Sequence, residues 1–229
     1  MFIYGSQTGP IMLSYNNNCH NTHMGVFEPS NQILTIDFSH QYEVIVPWTI
    51  ILFKYWHQKS YRKTLITVCS VNFAKENPLE NNQIYKPFLY NTFSSLTTAN
   101  NSIVTGICGT SYNFEGMLNF SLNELAAAAY SLLWNSRFVN NGDYEYHNHP
   151  MFQKYFAATN VNLLKEEPAR YYNSPVDENG IKLFEAWENM SYEELCSYDW
   201  GESMSFQDFR KSLNIRKRRT VKKKIITTT

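Results

Sequence analysis

Short apolar runs, rich in β-branched and aromatic residues, recur through the first half of the chain between Asn, Ser, Gly or Pro residues. Runs of this length and composition are typical of β-strands, and their close spacing is typical of antiparallel sheets. The pattern predicts an antiparallel β-sandwich. Its strands are predicted at 32–38, 42–46, 64–73, 84–93 and 102–108, with 12–15 and 23–27 as weaker candidates.

The run from Pro47 to Lys59 is predicted to form a helix. Proline is favoured at the first position of a helix. The large apolar side chains that follow it recur at a spacing that would place them on one helical face; they are Trp48, Ile51, Leu52, Tyr55 and Trp56.

The clearest predicted helix is a long one over 121–139. Ser121 and Glu124 match the capping box of a helix start, and the body that follows is rich in Ala and Leu. The sequence Asn140-Asn141-Gly142 offers a stop at the carboxyl end.

Beyond residue 142 the pattern changes to Pro, Tyr and acidic residues, and only short helices are predicted. One begins at Ser191 with Glu194, and another at Ser205 with Asp208. Helices this short need a surface to pack on. The sequence therefore predicts a mainly β chain of the α+β class with a helical, loop-rich carboxyl-terminal arm. Its three parts are a sandwich core with two helices over 1–142, an acidic and aromatic segment over 143–209 that packs on the core or on a neighbour, and a basic tail over 210–229.

Charge is distributed unevenly along the chain. Residues 1–165 carry nine basic and nine acidic groups, residues 166–209 carry two basic and eleven acidic groups, and residues 210–229 carry nine basic groups alone. The last two segments therefore have net charges of −9 and +9, while the whole chain has a net charge of zero. Electroneutrality minimises repulsion between copies and favours self-association.

Composition and segment length bound the class of protein. With 43% hydrophobic and 16% aromatic residues among 229, the chain is not a disordered one. Its first residues lack the basic start and apolar run of a secretory signal, and its longest apolar run, 44–53, is about half a membrane span. We expect a protein that is neither secreted nor bound to a membrane, with unpaired cysteines.

Histidines and cysteines come close together at Cys19-His20 with His23, and at His147 with His149. Zinc motifs show paired Cys-x-x-Cys or His-Glu-x-x-His spacing, which is missing here. The favoured interpretation is that these are polar histidines in loops, with no metal bound.

A glycine-rich stretch lies at Gly106-Ile107-Cys108-Gly109. It lacks the Lys-Ser/Thr ending of a phosphate-binding loop, so a turn after a strand is the favoured interpretation. Cys108 has no evident histidine partner that would make it a nucleophile. The sequence predicts a protein that is not an enzyme and requires no cofactor.

The basic tail has two interpretations that the sequence leaves open. Its cations could neutralise nucleic-acid phosphates or act as a nuclear address. They could equally dock against the acidic segment 166–209 of the same or an adjacent chain. The residues concerned are Arg216, Lys217, Arg218, Arg219, Lys222, Lys223 and Lys224.

Four paired tyrosines are candidates for a response to alkaline pH: Tyr144 and Tyr146, and the adjacent Tyr171 and Tyr172. Large amphipathic tyrosine rings are frequent at interfaces. Tyrosine ionises near pH 10 and lysine loses its charge in the same range, so a neutral assembly would become anionic there. We predict that these tyrosines release an assembly at alkaline pH.

Two blocks of short segments carry a family resemblance. They contain Ile33-Leu34-Thr35-Ile36, Gln41-Tyr42-Glu43-Val44 and the aromatic segment ending at Lys59, then Asn101-Ser102-Ile103, Gly106, Ser111-Tyr112-Asn113 and the predicted helix 121–139. In this order they resemble the cypovirus polyhedrins, which are the matrix proteins of viral occlusion bodies.

The resemblance implies a β-sandwich protomer that forms trimers and then crystals in the cytoplasm of an infected insect cell. Such crystals embed virus particles and dissolve in an alkaline gut. The family also implies a bound nucleotide in some members, but no residue here can be assigned to it.

The amino-terminal region departs from that family. Silkworm-type members begin with an amphipathic helix that clasps neighbouring trimers, whereas residues 1–30 contain Pro10 and Asn16-Asn17-Asn18 and predict none. We expect the acidic segment and the basic tail to replace that helix. The expected function is a self-assembling structural matrix protein; the alternative is a small viral or nuclear nucleic-acid-binding protein that uses the tail.

Overall fold

The computed structural model describes residues 11–17, 20–36, 40–58, 61–89, 92–94, 105–107, 111–115, 119–135, 150–151 and 178–213. Over these residues the chain is mainly antiparallel β-sheet with a few short helices. The prediction of a mainly β chain of the α+β class is confirmed at this level.

The strands are β1 (Ile11–Asn17), β2 (His20–Phe27), β3 (Ser30–Ile36), β4 (His40–Val46), β5 (Trp48–Gln58), β6 (Lys63–Ala74), β7 (Gln83–Tyr85), β8 (Thr92–Ser94), β9 (Thr105–Ile107), β10 (Ser111–Glu115) and β11 (Ser203–Ser205). The helices are α1 (Leu122–Trp134), α2 (Glu178–Glu188), α3 (Tyr192–Ser197) and α4 (206–213), and a 3-10 turn covers Pro78–Glu80.

Two sheets are formed by these strands. The larger has the order β1-β2-β5-β6-β7-β11, with β9 and β10 also pairing with β6 and β8 pairing with β9. The smaller is the β3-β4 hairpin. The strands β5 and β6 pair along nearly their whole length, so they form the centre to which the other elements attach.

The prediction of a helix from Pro47 to Lys59 is wrong, because this segment forms the central strand β5. Side chains on both faces of β5 are buried from Thr49 to Phe53. A strand buried on both faces has no polar alternation, so its apolar run is easily mistaken for a helical one. The adjacent isoleucines Ile50 and Ile51 carry the β-branched signal that favours a strand.

A β-bulge in β6 changes which of its side chains point into the larger core. Leu52 of β5 pairs with Ser70 and Phe53 pairs with Val68, which leaves Cys69 as an extra residue. The bulge reverses the alternation of side chains. Val68 and Val71 therefore both point into the larger core although they are three residues apart.

The larger sheet is covered on both faces. On one face Phe53 and Phe73 pack in a large core with residues of β3, β4, α1, α2 and α3. On the other face Ile50 and Ala74 pack with Phe206 and Phe209 of α4 in a smaller core. The carboxyl-terminal helices thus contribute to both cores.

The serine capping signals located three helix starts correctly. The Ser121 hydroxyl accepts a hydrogen bond from the Glu124 backbone N–H at 3.3 Å, and Glu124 Oε2 accepts one from the Ser121 N–H at 2.7 Å, which confirms the capping box. The start at Ser191 shows the same box, and the Ser205 hydroxyl accepts from the Asp208 N–H at 3.1 Å. Helix α1 ends earlier than predicted, with Asn135 as its carboxyl-terminal cap.

Other strand boundaries differ from the predicted ones. The predicted strand 84–93 is instead two short strands, β7 and β8, with Pro87 in the non-strand stretch after β7. Proline lacks the N–H that a central strand requires. The strands β10 and β11 were not predicted, since they are short and rich in Ser and other polar residues.

Trp187 of α2 joins the helix to β4 and should stabilise the fold strongly. Its side chain is fully buried, its indole N–H donates to the Ile45 carbonyl at 2.9 Å, and its ring meets Phe88 edge-on at 4.7 Å.

We expect Trp187→Phe to lower the free energy of unfolding by about 2 kcal/mol, because a buried hydrogen bond and some packing are lost. The matched control is Trp56→Phe, in which the exposed Trp56 ring (44% exposed) should change stability by less than about 0.5 kcal/mol. Urea unfolding measures both, and equal effects of the two substitutions would contradict the assigned role of Trp187.

Candidate functional site

A cluster of titratable and aromatic side chains surrounds Lys75, the residue that follows β6. We call it the Lys75 cluster; its members are Lys75, Tyr85, Tyr192, Cys196, Tyr198 and Trp200. The Lys75 ammonium donates to the Tyr198 carbonyl at 2.6 Å. It also lies 5.2 Å from the centre of the Trp200 ring and 5.5 Å from that of Tyr85. The Lys75 side chain is therefore held by one charge-assisted hydrogen bond and by two cation–π contacts.

The backbone carbonyl of Lys75 binds the same carboxyl-terminal segment a second time. It accepts a hydrogen bond from the Tyr192 hydroxyl at 2.7 Å and a weaker one from the Cys196 thiol at 3.7 Å. Tyr192 and Cys196 lie one turn apart on α3, so they face the same way. Both the side chain and the main chain of Lys75 thus fasten residues 192–200 to the end of strand β6.

Local structure positions these partners. The capping box at Ser191 fixes the start of α3. The Trp200 indole donates to the Leu195 carbonyl at 3.0 Å, which folds the chain back after the helix. Gly201 has φ +77 and its N–H donates to Asp199 Oδ1 at 2.8 Å. A left-handed residue is needed at this turn, and glycine adopts that conformation without strain.

Burial makes the ionisable groups of the cluster resistant to deprotonation. It is the main cause that raises the pKa of Tyr192 well above the usual range, and the nearby Cys196 adds to the effect. Burial also raises the pKa of the Cys196 thiol. The pKa of Tyr85 is raised by burial first and then by the charges of Asp199 and Glu76. The neutral forms of all three groups are therefore favoured in the folded chain.

Tyr130 joins helix α1 to strand β3. The Tyr130 hydroxyl of α1 is hydrogen-bonded to the Ser30 hydroxyl of β3 at 3.1 Å, and its ring stacks on Phe27 at 4.1 Å. Burial is the main cause that raises the pKa of Tyr130, although the hydrogen bond opposes it. Burial thus favours the uncharged phenol of Tyr130 in the folded chain.

Tyr42 of β4 makes the third contact of this kind, with α2. Its ring stacks on Phe184 at 6.0 Å. Burial raises the pKa of Tyr42, and the carboxylates of Glu185 and Glu188 raise it further. Glu188 also accepts a hydrogen bond from the Glu43 backbone N–H at 3.1 Å, beside an open groove of about 410 Å³. An ionised Tyr42 would face two like charges.

None of the residues predicted as sites is among these. Tyr144, Tyr146, Tyr171 and Tyr172 lie outside the described residues, as do the basic residues from Arg216 to Lys224. The described tyrosines with raised pKa values are Tyr42, Tyr85, Tyr130 and Tyr192. Sequence reasoning missed them because their burial depends on tertiary contacts, although Tyr192 directly follows the recognised helix start at Ser191 and Tyr130 lies in the recognised helix α1.

Two histidines interpreted as polar loop residues, His20 and His23, lie in strand β2, so this prediction is wrong for them. His23 lies in β2, is 8% exposed, and has ring contacts with Tyr55 at 5.2 Å and Phe53 at 5.7 Å. Neither ring nitrogen has a hydrogen-bond partner within the described part of the chain. Burial lowers the pKa of His23, so the ring is a neutral core residue.

Over the described ranges, no three His, Cys, Asp or Glu side chains are grouped so as to hold a metal ion. Cys19, Cys108, His147 and His149 lie outside those ranges. Cys69 and Cys196 are free thiols. Among the described helices, none is both long enough and apolar enough to cross a membrane.

No family of proteins, no curated protein and no solved structure matches this chain when they are compared with it.

We expect Tyr192→Phe to have opposite effects at neutral and alkaline pH. At pH 7 the free energy of unfolding should fall by about 1 kcal/mol, because the hydrogen bond to the Lys75 carbonyl is lost. A tyrosine with a raised folded-state pKa contributes its full stability below its ordinary pKa of about 10, and that contribution is lost as pH rises toward the folded-state value. The variant should therefore lose less stability than the parent between pH 10 and 12.

The measurement is urea unfolding at a series of pH values from 7 to about 12. Tyr61→Phe is the matched control, because Tyr61 is 72% exposed. A Tyr192→Phe protein whose stability falls above pH 10 as steeply as the parent's would contradict the role of Tyr192.

Proposed function

We propose that this protein is a structural matrix protein of viral occlusion bodies, of the polyhedrin kind, and has no catalytic role. The observation that carries the proposal is that uncharged tyrosines fasten α1, α2 and α3 to strands or strand ends. An electroneutral chain can pack densely at neutral pH. Burying tyrosines of raised pKa then makes the packed protomer sensitive to alkali.

The protomer proposed here is a β-sandwich. The β3-β4 hairpin contributes Leu34, Tyr42, Val44 and Val46 to the same core as the larger sheet, and the long helix α1 covers part of that core. Residues 178–213 belong to the carboxyl-terminal arm. Trimers and then a crystal lattice follow from the family resemblance, with virus particles as cargo, the host cytoplasm as location and no cofactor required.

Alkaline release follows from the sign of the tyrosine shifts. Below pH 10 the buried phenols are neutral and their contacts are intact. As pH rises toward the folded-state pKa values, ionisation favours the unpacked chain, in which water hydrates the phenolates. Around the Lys75 cluster, Glu76, Glu193 and Asp199 would then repel the new negative charges.

The test is to express the full chain in insect cells and to look for refractile crystalline bodies. Bodies should form and should dissolve as pH is raised through about 10 to 12. A purified chain that stays monomeric at millimolar concentration in neutral buffer would contradict the matrix role. Bodies that form but persist past pH 12 would contradict the release mechanism alone.

Lattice contacts are proposed to include the basic tail and the acidic segment. Within the described part of that segment, the exposed carboxylates are those of Glu185, Glu188, Glu193, Glu194, Asp199, Glu202 and Asp208. They provide a surface of opposite charge to the tail.

We expect deletion of residues 215–229 to change the crystal form or to lower the salt concentration at which the bodies dissolve. A matched control replaces Arg216, Arg218 and Arg219 by Lys, which keeps the charge. Bodies of unchanged form and salt resistance after the deletion would contradict tail docking. Stoichiometric nucleic acid bound through the tail, with affinity falling steeply with salt, would support the alternative function instead.

A further inference from the structure

The end of the β5-β6 hairpin is basic and aromatic. Residues 54–63 contain four Lys or Arg, three Tyr or Trp, and no acidic residue. Four of these side chains form what we call the hairpin patch: Lys54, Trp56, Tyr61 and Arg62. Their number and kind match a surface that binds phosphates and stacks bases.

Two aromatic rings of the hairpin patch face solvent. Trp56 is 44% exposed and Tyr61 is 72% exposed, and neither ring stacks on another ring of the described residues. The neighbouring Tyr55 behaves differently, because it lies on the opposite face of β5 and stacks on His23. Large aromatic side chains left in water are available to a partner with a flat apolar surface.

Arg62 occupies a backbone position that does not suit it. Its φ is +49, in the left-handed region where Gly and Asn are preferred. Its side chain is exposed and makes no hydrogen bond or ion pair with residues that the structure describes. Nothing in this part of the fold therefore accounts for an arginine at a position where glycine would be less strained.

Lys54 lies on the same face of β5 as Trp56, because side chains two apart in a strand point the same way. Lys63 is left out of the patch, since Glu115 of β10 lies opposite it in register. Lys59 lies outside the described residues. Lys54 and Arg62 with the rings of Trp56 and Tyr61 therefore remain at this end of the β5-β6 hairpin.

We propose that the hairpin patch binds single-stranded nucleic acid, with bases stacked on Trp56 and Tyr61 and phosphates paired with Lys54 and Arg62. A single strand fits better than a duplex because its bases are free to leave their neighbours and stack on protein rings. This inference does not rest on the matrix function, and it concerns a different part of the chain from the basic tail.

The test measures binding of a fluorescein-labelled twelve-nucleotide oligouridylate to the full chain by fluorescence anisotropy, at several salt concentrations. Trp56→Ala and Tyr61→Ala should each weaken binding by about 5- to 100-fold, the usual range for one lost base–aromatic contact. Trp56→Phe should restore most of the affinity. Phe120→Ala is the matched control, because Phe120 is also exposed (37%) and lies outside the β5-β6 hairpin, just before α1.

The cations are tested through the salt dependence. Arg62→Asn keeps a residue that tolerates positive φ, so it should fold normally while the slope of log affinity against log salt becomes shallower by about 0.7. Arg62→Lys should keep the slope. Urea unfolding of every variant separates lost binding from lost folding.

Three outcomes would overturn the proposal. The first is that the Trp56→Ala, Tyr61→Ala double variant binds with unchanged affinity while deletion of residues 215–229 abolishes binding. Another is equal affinity for duplex RNA of the same length, which would indicate phosphate contacts alone. The third is competition by free uridine monophosphate at the same concentration as the oligonucleotide.

Discussion

Burial of uncharged phenol groups is the constraint that ties the covering helices to the strands. Tyr130, Tyr42 and Tyr192 each join one helix to a strand or to the end of one, through a hydrogen bond or a stacked ring. Ionisation of each ring is disfavoured, because a phenolate would be desolvated and in two cases would lie near carboxylates. The helices that cover the larger core are therefore held by phenol groups whose charge depends on pH.

Lys75 completes this arrangement with the opposite charge. Its ammonium and its carbonyl bind different groups of the same segment, so the segment is held by a cation and by neutral donors at once. Strand β6 pairs with β5 as far as Ala74, which lies opposite Trp48, and this pairing fixes the position of the next residue, Lys75. The Lys75 cluster is thus attached directly to the paired strands at the centre of the larger sheet.

The sequence predicted those features that depend on neighbouring residues. The capping boxes at Ser121 and Ser191 are complete within four residues, and most strands were visible as short β-branched runs. The strand β5 was mistaken for a helix because burial on both faces removes alternation. Whether a strand lies at the centre of a sheet depends on its partners, and residues 47–59 alone do not contain that information.

The candidate site could not be predicted in the same way. The bond between Lys75 and Tyr198 spans 123 residues, and that between Ser30 and Tyr130 spans 100. Pairs of tyrosines close in sequence drew attention to Tyr144, Tyr146, Tyr171 and Tyr172, whereas the described tyrosines of raised pKa are single residues. What distinguishes them is tertiary burial, which has no local signature.

Tyr42 belongs to the large apolar core, and Tyr130 packs against it, so their proton releases are not independent. Loss of one helix admits water to the core and removes the desolvation that protects the other phenol. Ionisation is thereby expected to be cooperative. The folded chain would respond to alkali with a sharp threshold, remaining intact over a broad range of pH and opening within a narrow one.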